Sequence, residues 1–260
     1  MIVWSYGGGT QSAAIAVLIL EGKLPMPDII CMADTAREVQ ETWDYLKRVV
    51  RPAGIDVKII PHSYATVDLH GGRDDLLIPA FTRYRMDHNE NDLLKPTHRS
   101  SIEVGKLPTF CSNEWKQRPV RRWLREQGVK DCDLWLGIST DEIERMKISD
   151  VKWQRNVYPL IEIIPTSRHQ CVSLVERHGW PTPPKSRCFM CPNMSPSHWR
   201  TLRDKAPEDF AKAVELEREL QTLDADIYLH KLGIPLTDAV AQSDLQSDMF
   251  DGCDSGFCWT

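Results

Sequence analysis

Residues 1–22, MIVWSYGGGTQSAAIAVLILEG, decide the fold. Ile2, Val3 and Trp4 read as a short buried strand, and Ala13, Ala14, Ile15, Ala16, Leu18 and Ile19 form a dense run of helix formers without a breaker. Between them stand Gly7, Gly8 and Gly9. Three consecutive glycines cost backbone entropy and pack nothing, so they point to something that must approach the backbone closely. A strand, a glycine turn and a helix start carrying Thr10, Gln11 and Ser12 gather free N–H groups at the positive end of a helix dipole, an arrangement suited to phosphate or sulfate. Walker A is excluded because Thr10-Gln11 stands where it needs Lys followed by Ser or Thr, and the dinucleotide fingerprint is excluded because Ser12 stands where it needs its third glycine.

Downstream the alternation continues through DIICMAD, EVQETWDYLKRVV and DVKIIPH, which predicts parallel strands joined by crossover helices. Ligands of such sheets bind beyond the carboxyl ends of the strands, where Gly7–Gly9, Asp34-Thr35 and His62-Ser63 all fall. From Tyr64 to Cys111 the periodicity fades into a polar stretch with HGGRDD and RMDHNENDLLKPTHRSS, read as a lid, insertion or substrate loop. Order resumes with a helix opened by Pro119, on which Val120, Trp123 and Leu124 make an apolar side. Arg118, Arg121, Arg122 and Arg125 recur at three and four residues on another side, followed by the strand DLWLGIS. The expected organisation is an α/β domain over 1–179, with the long loop near 64–111, and a cysteine-bearing extension over 180–260.

The 260 residues are 42% hydrophobic and 27% charged, the composition of an ordinary globular protein, and no apolar run approaches a membrane span. Met1 leads directly into a core strand, so neither a targeting segment nor a membrane anchor is expected and the location is read as cytoplasmic. A net charge of −5 argues against a protein that coats nucleic acid by electrostatics alone. Eight cysteines without a secretory signal point to metal, cluster or redox chemistry. Cys31, Cys132 and Cys171 lack a partner at ligand spacing and read as buried small hydrophobes. Cys188-Phe-Met-Cys191, set among prolines, suits a zinc or a cluster half-site better than a thioredoxin-like pair.

Several stretches, in order, resemble one family. SYGGGTQS resembles the PP-loop of the adenine nucleotide α-hydrolase superfamily, and CMADTAREVQETWDYL resembles the segment after the second strand in its phosphoadenosine phosphosulfate (PAPS) reductase-like branch. LGISTDEIERM, YPLIEIIPTSRHQCVSLVERHGWPTPP and SRCFMCP resemble later segments of the same branch. The resemblance implies a HUP-like (Rossmann-like) parallel sheet with flanking helices. It also implies an enzyme that binds ATP or a related adenine nucleotide, with Mg²⁺ as a further ligand, and adenylates a substrate for sulfur or nitrogen transfer. By this resemblance Ser5, Gly7, Gly8, Gly9, Thr10, Gln11, Ser12, Asp34 and Thr35 hold the nucleotide, and Asp34, Lys116 and Arg145 serve catalysis. A [4Fe–4S] cluster, with zinc as the alternative, would be held by Cys111, Cys188, Cys191 and a fourth thiolate from Cys258 or Cys253, with Cys258 favoured.

Two departures bear on activity. Gln11 replaces the carboxylate that organises Mg²⁺ in the PP-loop, leaving Asp34 or Asp141 to supply the charge, and the tail reads CDSGFC instead of the reductases' Glu-Cys-Gly-Leu-His. A sulfonucleotide reductase and a non-catalytic nucleotide and cluster sensor are therefore the alternative readings. The acceptor stays open among tRNA, DNA, a nucleobase and a small metabolite, and a sulfur-donor protein is a further expected partner. Any nucleic-acid contact is expected on the arginine helix and the long loop.

Overall fold

The computed structural model describes residues 1–65, 80–86, 101–108 and 110–245. They fall into two units: one holds 1–65 and 112–188, the other holds 80–86, 101–108, 110–111 and 189–245. The sequence sets its boundary at residue 180; of the expected long loop, the described residues 80–86, 101–108 and 110–111 fall in the same unit as 189–245. HGGRDD, most of RMDHNENDLLKPTHRSS, Cys253 and Cys258 lie outside the described residues.

The first unit begins with strand β1 (Ile2–Ser5), the glycine turn and helix α1 (Thr10–Leu20). Strand β2 (Ile29–Ala33) and helix α2 (Gln40–Tyr45) follow, the helix widening into a π-type turn over Leu46–Val50 before strand β3 (Lys58–Ile60). In the second unit, β4 (Phe81–Met86) and β5 (Ser101–Lys106) form an antiparallel pair that aligns Phe81 with Lys106 and Met86 with Ser101. The turn-rich reading of 64–111 missed this pair, because so few alternating residues are hard to separate from loop by periodicity alone.

Back in the first unit, a π-type turn over Asn113–Gln117 runs into helix α3 (Arg118–Glu126). Strands β6 (Cys132–Leu136) and β7 (Gln154–Val157) and helix α4 (Arg168–Arg177) complete it. The five strands are parallel in the order β3-β2-β1-β6-β7, so the expected Rossmann-like α/β architecture is observed. The connectivity reverses between β1 and β6, which makes their carboxyl ends the switch point of the sheet. Nearly every side chain of α1 is buried, and its small residues Ala13, Ala14 and Ala16 lie in a core shared with Trp4, Trp135 and the α4 residues Cys171, Leu174 and Val175. The opposite sheet face, through Val3, Cys31, Leu134 and Leu136, packs against Val120 and Leu124 of α3.

The second unit continues with α5 (Pro196–Lys205), α6 (Pro207–Leu223), β8 (Ile227–Tyr228) and α7 (Leu236–Leu245), and β8 adds antiparallel to β4. Buried Glu217 accepts the backbone N–H groups of Leu229 and Leu236 at 2.8 and 2.7 Å, which ties α6 to the turn between β8 and α7. Among the described residues no helix is long and apolar enough to cross a membrane.

Candidate nucleotide site at the switch point

The glycine turn is held by its own helix. Ser12, buried in the first turn of α1, accepts the Gly7 N–H on its Oγ at 2.9 Å. Gly8 has φ +77°, and a Cβ there would stand 2.4 Å from Thr42 Cγ2. A Cβ on Gly9, the N-cap of α1, would meet Ser186 Cβ at 3.4 Å. Gly137, directly after β6, comes as close: its Cβ would meet Gln11 Cβ and Ser12 Oγ at 3.4 Å. Of these three, only Gly8 leaves no room for a Cβ; Gly9 and Gly137 lie at ordinary contact distance, Gly137 against the start of α1. Among the described residues, the N–H groups of Gly8, Gly9, Thr10, Gln11 and Ser12 have no acceptor. These are the N–H groups that the sequence expects to face an anion.

Gln11 reaches across the switch point. Its Nε2 donates to Glu142 Oε2 at 2.8 Å and to Ser139 Oγ at 3.3 Å. Glu142 in turn accepts Arg145 Nη1 on Oε1 at 2.5 Å, and both of these side chains are 14% exposed. The carboxylate beside position 11 is therefore Glu142, and neither Asp34 nor Asp141 fills that place. Asp34 Oδ1 caps the N–H of Ala36 at 2.7 Å in a left-handed turn, and Asp141 Oδ1 caps the N–H of Arg168 at the start of α4 at 2.8 Å. The segment LGISTDEIERM contains Glu142, but with Asp141, Glu142 and Glu144 clustered there, spacing alone does not select it.

A second charged cluster lies behind Gly8 and Gly9. Glu38 is buried, accepts Ser186 Oγ at 2.7 Å and Thr42 Oγ1 at 3.4 Å, and stands 4.0 Å from Lys116 Nζ. Burial pushes its carboxyl above the usual carboxylate range, opposed first by the Lys116 ammonium and then by the hydrogen bond from Ser186. Backbone pairing fixes this wall: the N–H of Val39 donates to the Arg187 carbonyl at 3.0 Å, and Glu38 bridges antiparallel to Cys188. Sequence reading singled out Lys116 but missed Glu38, Thr42 and Ser186, since a glutamate opening a polar helix reads as solvated.

The ends of β2 and β3 close the remaining side. Thr35 is buried with its Oγ1 3.7 Å from Cys188 Sγ, and Arg37 bonds the Thr35 carbonyl at 3.0 Å and His62 Nε2 at 3.3 Å. The Arg37 guanidinium lies 4.5 Å over the ring of Trp115. Ser5 differs from the other expected nucleotide residues, because it ends β1 on the α3 face of the sheet and stands outside the turn.

Cys188 belongs to the first unit, and Cys111 and Cys191 belong to the second. Among the described residues no three His, Cys, Asp or Glu side chains are grouped to hold a metal ion, and Cys253 and Cys258, the expected fourth ligands, lie outside the described residues. The arginines of α3 do not form one open basic face. Arg118 pairs with Glu114 at 2.8 Å and Arg121 with Asp150 at 2.5 Å, Arg122 stacks on Tyr64, and Arg125 stacks on Trp153.

These features define a Rossmann-like α/β unit with a glycine-rich turn and an unsatisfied helix start at its switch point. No protein-family model matches the chain, and no curated protein matches it. Among solved structures it is similar to the crystal structure of phosphoadenylyl-sulfate (PAPS) reductase from Candida auris in its phosphate complex. That match has 14% identity and a TM-score of 0.43, covering 70% of this chain and 75% of that one.

Proposed function

We propose that the chain is an enzyme of the PAPS reductase-like kind that binds an adenine nucleotide at the switch point and transfers its adenylyl group to a substrate. The observation that carries this reading is the row of N–H groups from Gly8 to Ser12, which have no acceptor among the described residues and stand beside two cation-bearing clusters, Glu38–Lys116 and Glu142–Arg145. Polyphosphate oxygens would accept from these amides, and the buried Thr35 and the neighbouring Asp34 would border the adenosine. A substrate oxygen would attack the α-phosphorus as the bond to the β-phosphate oxygen breaks, giving adenylated substrate and pyrophosphate. A sulfur or nitrogen nucleophile would then displace AMP. Lys116 and Arg145 would offset the negative charge that develops on the transferring phosphoryl group.

Gln11 cannot ligate Mg²⁺ as a carboxylate would, and both Glu142 oxygens already accept hydrogen bonds. Metal brought in by the nucleotide would therefore be carried mainly by the phosphates. The test is incubation with α-labelled ATP and candidate acceptors, with pyrophosphate and AMP followed together. Pyrophosphate release with label on the acceptor supports adenylation. Sulfite release from PAPS without pyrophosphate would move the chain to the sulfonucleotide reductases, and nucleotide binding without either product would make it a sensor.

A further inference from the structure

We infer that a cavity on the α3 face of the sheet binds the second reactant, and that this reactant is a small planar heterocycle bearing a ring carbonyl or ring nitrogen. The inference rests on the reading of the glycine turn as a nucleotide site, and its test separates the two. The cavity has a volume of about 280 Å³. Ligand pockets commonly run from ~300 to 1,000 Å³, so this one suits one or two fused rings and not a stretch of polymer.

Its surface is of two kinds. Leu134 and Leu136, two residues apart on β6, present an apolar floor of the sort that a flat ring covers well, and Val120 of α3 adds to it. Against this floor stand polar groups with nothing to bond. Ser5 is 8% exposed and its hydroxyl has no partner among the described residues, and the same holds for the side-chain amide of Gln117. A ligand atom in the cavity would give this hydroxyl a hydrogen-bond partner. A hydroxyl and a primary amide can each donate and accept, so together they match an edge on which a carbonyl or ring nitrogen neighbours an N–H.

Arg121, Gln154 and Asn156 of the lining are committed to a hydrogen-bonded chain. Arg121 Nε donates to Gln154 Oε1 at 3.3 Å, Gln154 Nε2 to Asn156 Oδ1 at 2.8 Å, and Asn156 Nδ2 to the Lys147 carbonyl at 2.8 Å. Tyr158 holds that segment from the other side, its hydroxyl accepting the Lys147 N–H at 2.8 Å. This chain stiffens one wall, beside which Ser5 and Gln117 offer neutral groups that can donate and accept. The position also suits a reaction partner. Ser5 is the last residue of β1, two before Gly7, which puts the cavity about 7 Å of extended chain from the glycine turn. Lys116 lines the cavity and also faces Glu38, so one ammonium stands at the border of both sites.

The experiment titrates the full-length protein with uracil, cytosine and hypoxanthine, and with fluorobenzene as a ring that lacks polar atoms, by ligand-observed NMR, while ATP binding is followed separately by calorimetry. Wild type is compared with Gln117→Leu, which removes the amide, and Val120→Phe, which fills the cavity. We expect at least one heterocycle to bind, to lose tenfold or more in affinity in both variants, and to leave ATP affinity within twofold. Absence of binding by all three heterocycles would overturn the inference, as would equal binding by fluorobenzene or unchanged affinity in Gln117→Leu. Competition between heterocycle and ATP for one site would overturn it as well, by making the cavity the seat of the nucleotide's own base. Heterocycle binding that follows the variants, with no ATP binding at all, would uphold the cavity and refute the nucleotide reading of the glycine turn.

Discussion

Gln11 Nε2 and Glu142 Oε2 meet at 2.8 Å across 131 residues of sequence, and this contact joins the first turn of α1 to the segment after β6. It also accounts for an amide at position 11, because a carboxylate there would face Glu142 directly. In Gln11→Asp the two acidic side chains would repel at short range, and a divalent cation would relieve them. Nucleotide binding by this variant should be weakened tenfold or more in EDTA and restored by Mg²⁺, whereas wild type should respond little. Equal affinities with and without Mg²⁺ in the variant, measured by calorimetry, would show that the two side chains do not share a site.

Gly8 tests the turn itself. With φ +77° and Thr42 Cγ2 2.4 Å from any Cβ, Gly8→Ala combines backbone strain with a clash. Strain of this kind costs about 1–3 kcal/mol, so the variant should lose that much unfolding free energy in denaturant titrations. Adding Thr42→Ser removes the offending methyl but keeps the hydroxyl that bonds Glu38, and should recover the clash component alone. A double variant no more stable than Gly8→Ala would place the whole cost in the backbone.

Ser186 and Glu38 test the wall behind the turn. Ser186→Ala takes a 2.7 Å donor from a buried carboxylate, a loss of about 1.5–3 kcal/mol for a bond to a charged group. Glu38→Gln keeps an acceptor for Ser186 and removes the ionisation. Because the folded state raises the Glu38 pKa, its ionisation works against the fold: the stabilising contribution is complete below the unfolded value of 4.5 and fades as pH rises through the folded value. Relative to wild type, Glu38→Gln should therefore gain stability between pH 5 and pH 8, as read by chemical denaturation. A relative loss over that range would contradict the burial argument.

His230 sets a pH dependence of opposite sign in the second unit. It is buried, its Nε2 has no partner among the described residues, and its Nδ1 faces the Leu232 N–H at 3.3 Å. Burial pushes the imidazole from 6.5 down to about 4, with the Lys231 ammonium adding to the effect. The unfolded chain binds the proton more readily over this window, so stability is full above pH 6.5 and is lost as pH falls towards 4, by at most about 3 kcal/mol. His230→Asn, which keeps an acceptor for Leu232, should flatten that slope in urea titrations at pH 7, 5.5 and 4.

The fold was legible at the N-terminus because local signals agree there. Ile2–Trp4, the glycines and the alanine-rich run each favour the structure they adopt, and the strand-helix alternation to β3 follows from them. Strand β7 escaped because QRNV carries three polar residues, two of which, Gln154 and Asn156, face inward and bond each other. The glycine turn was likewise readable, whereas its surroundings were not. Glu38, Thr42, Glu142 and Ser186 become parts of the site only through long-range contacts, and no periodicity marks a glutamate that the tertiary fold will bury. The arginines of α3 were visible as a spacing, but their partners Asp150, Tyr64 and Trp153 lie 29, 58 and 28 residues away.

The close approach of Ser186 to Gly9 has a consequence for synthesis. In chain order the glycine turn precedes β6, which completes the switch point and ends at Leu136, and the segment that backs Gly9 comes only at Pro184–Ser186. Non-local pairing of this kind forms slowly. A nascent chain therefore carries the glycine turn without its walls until Pro184–Ser186 emerge.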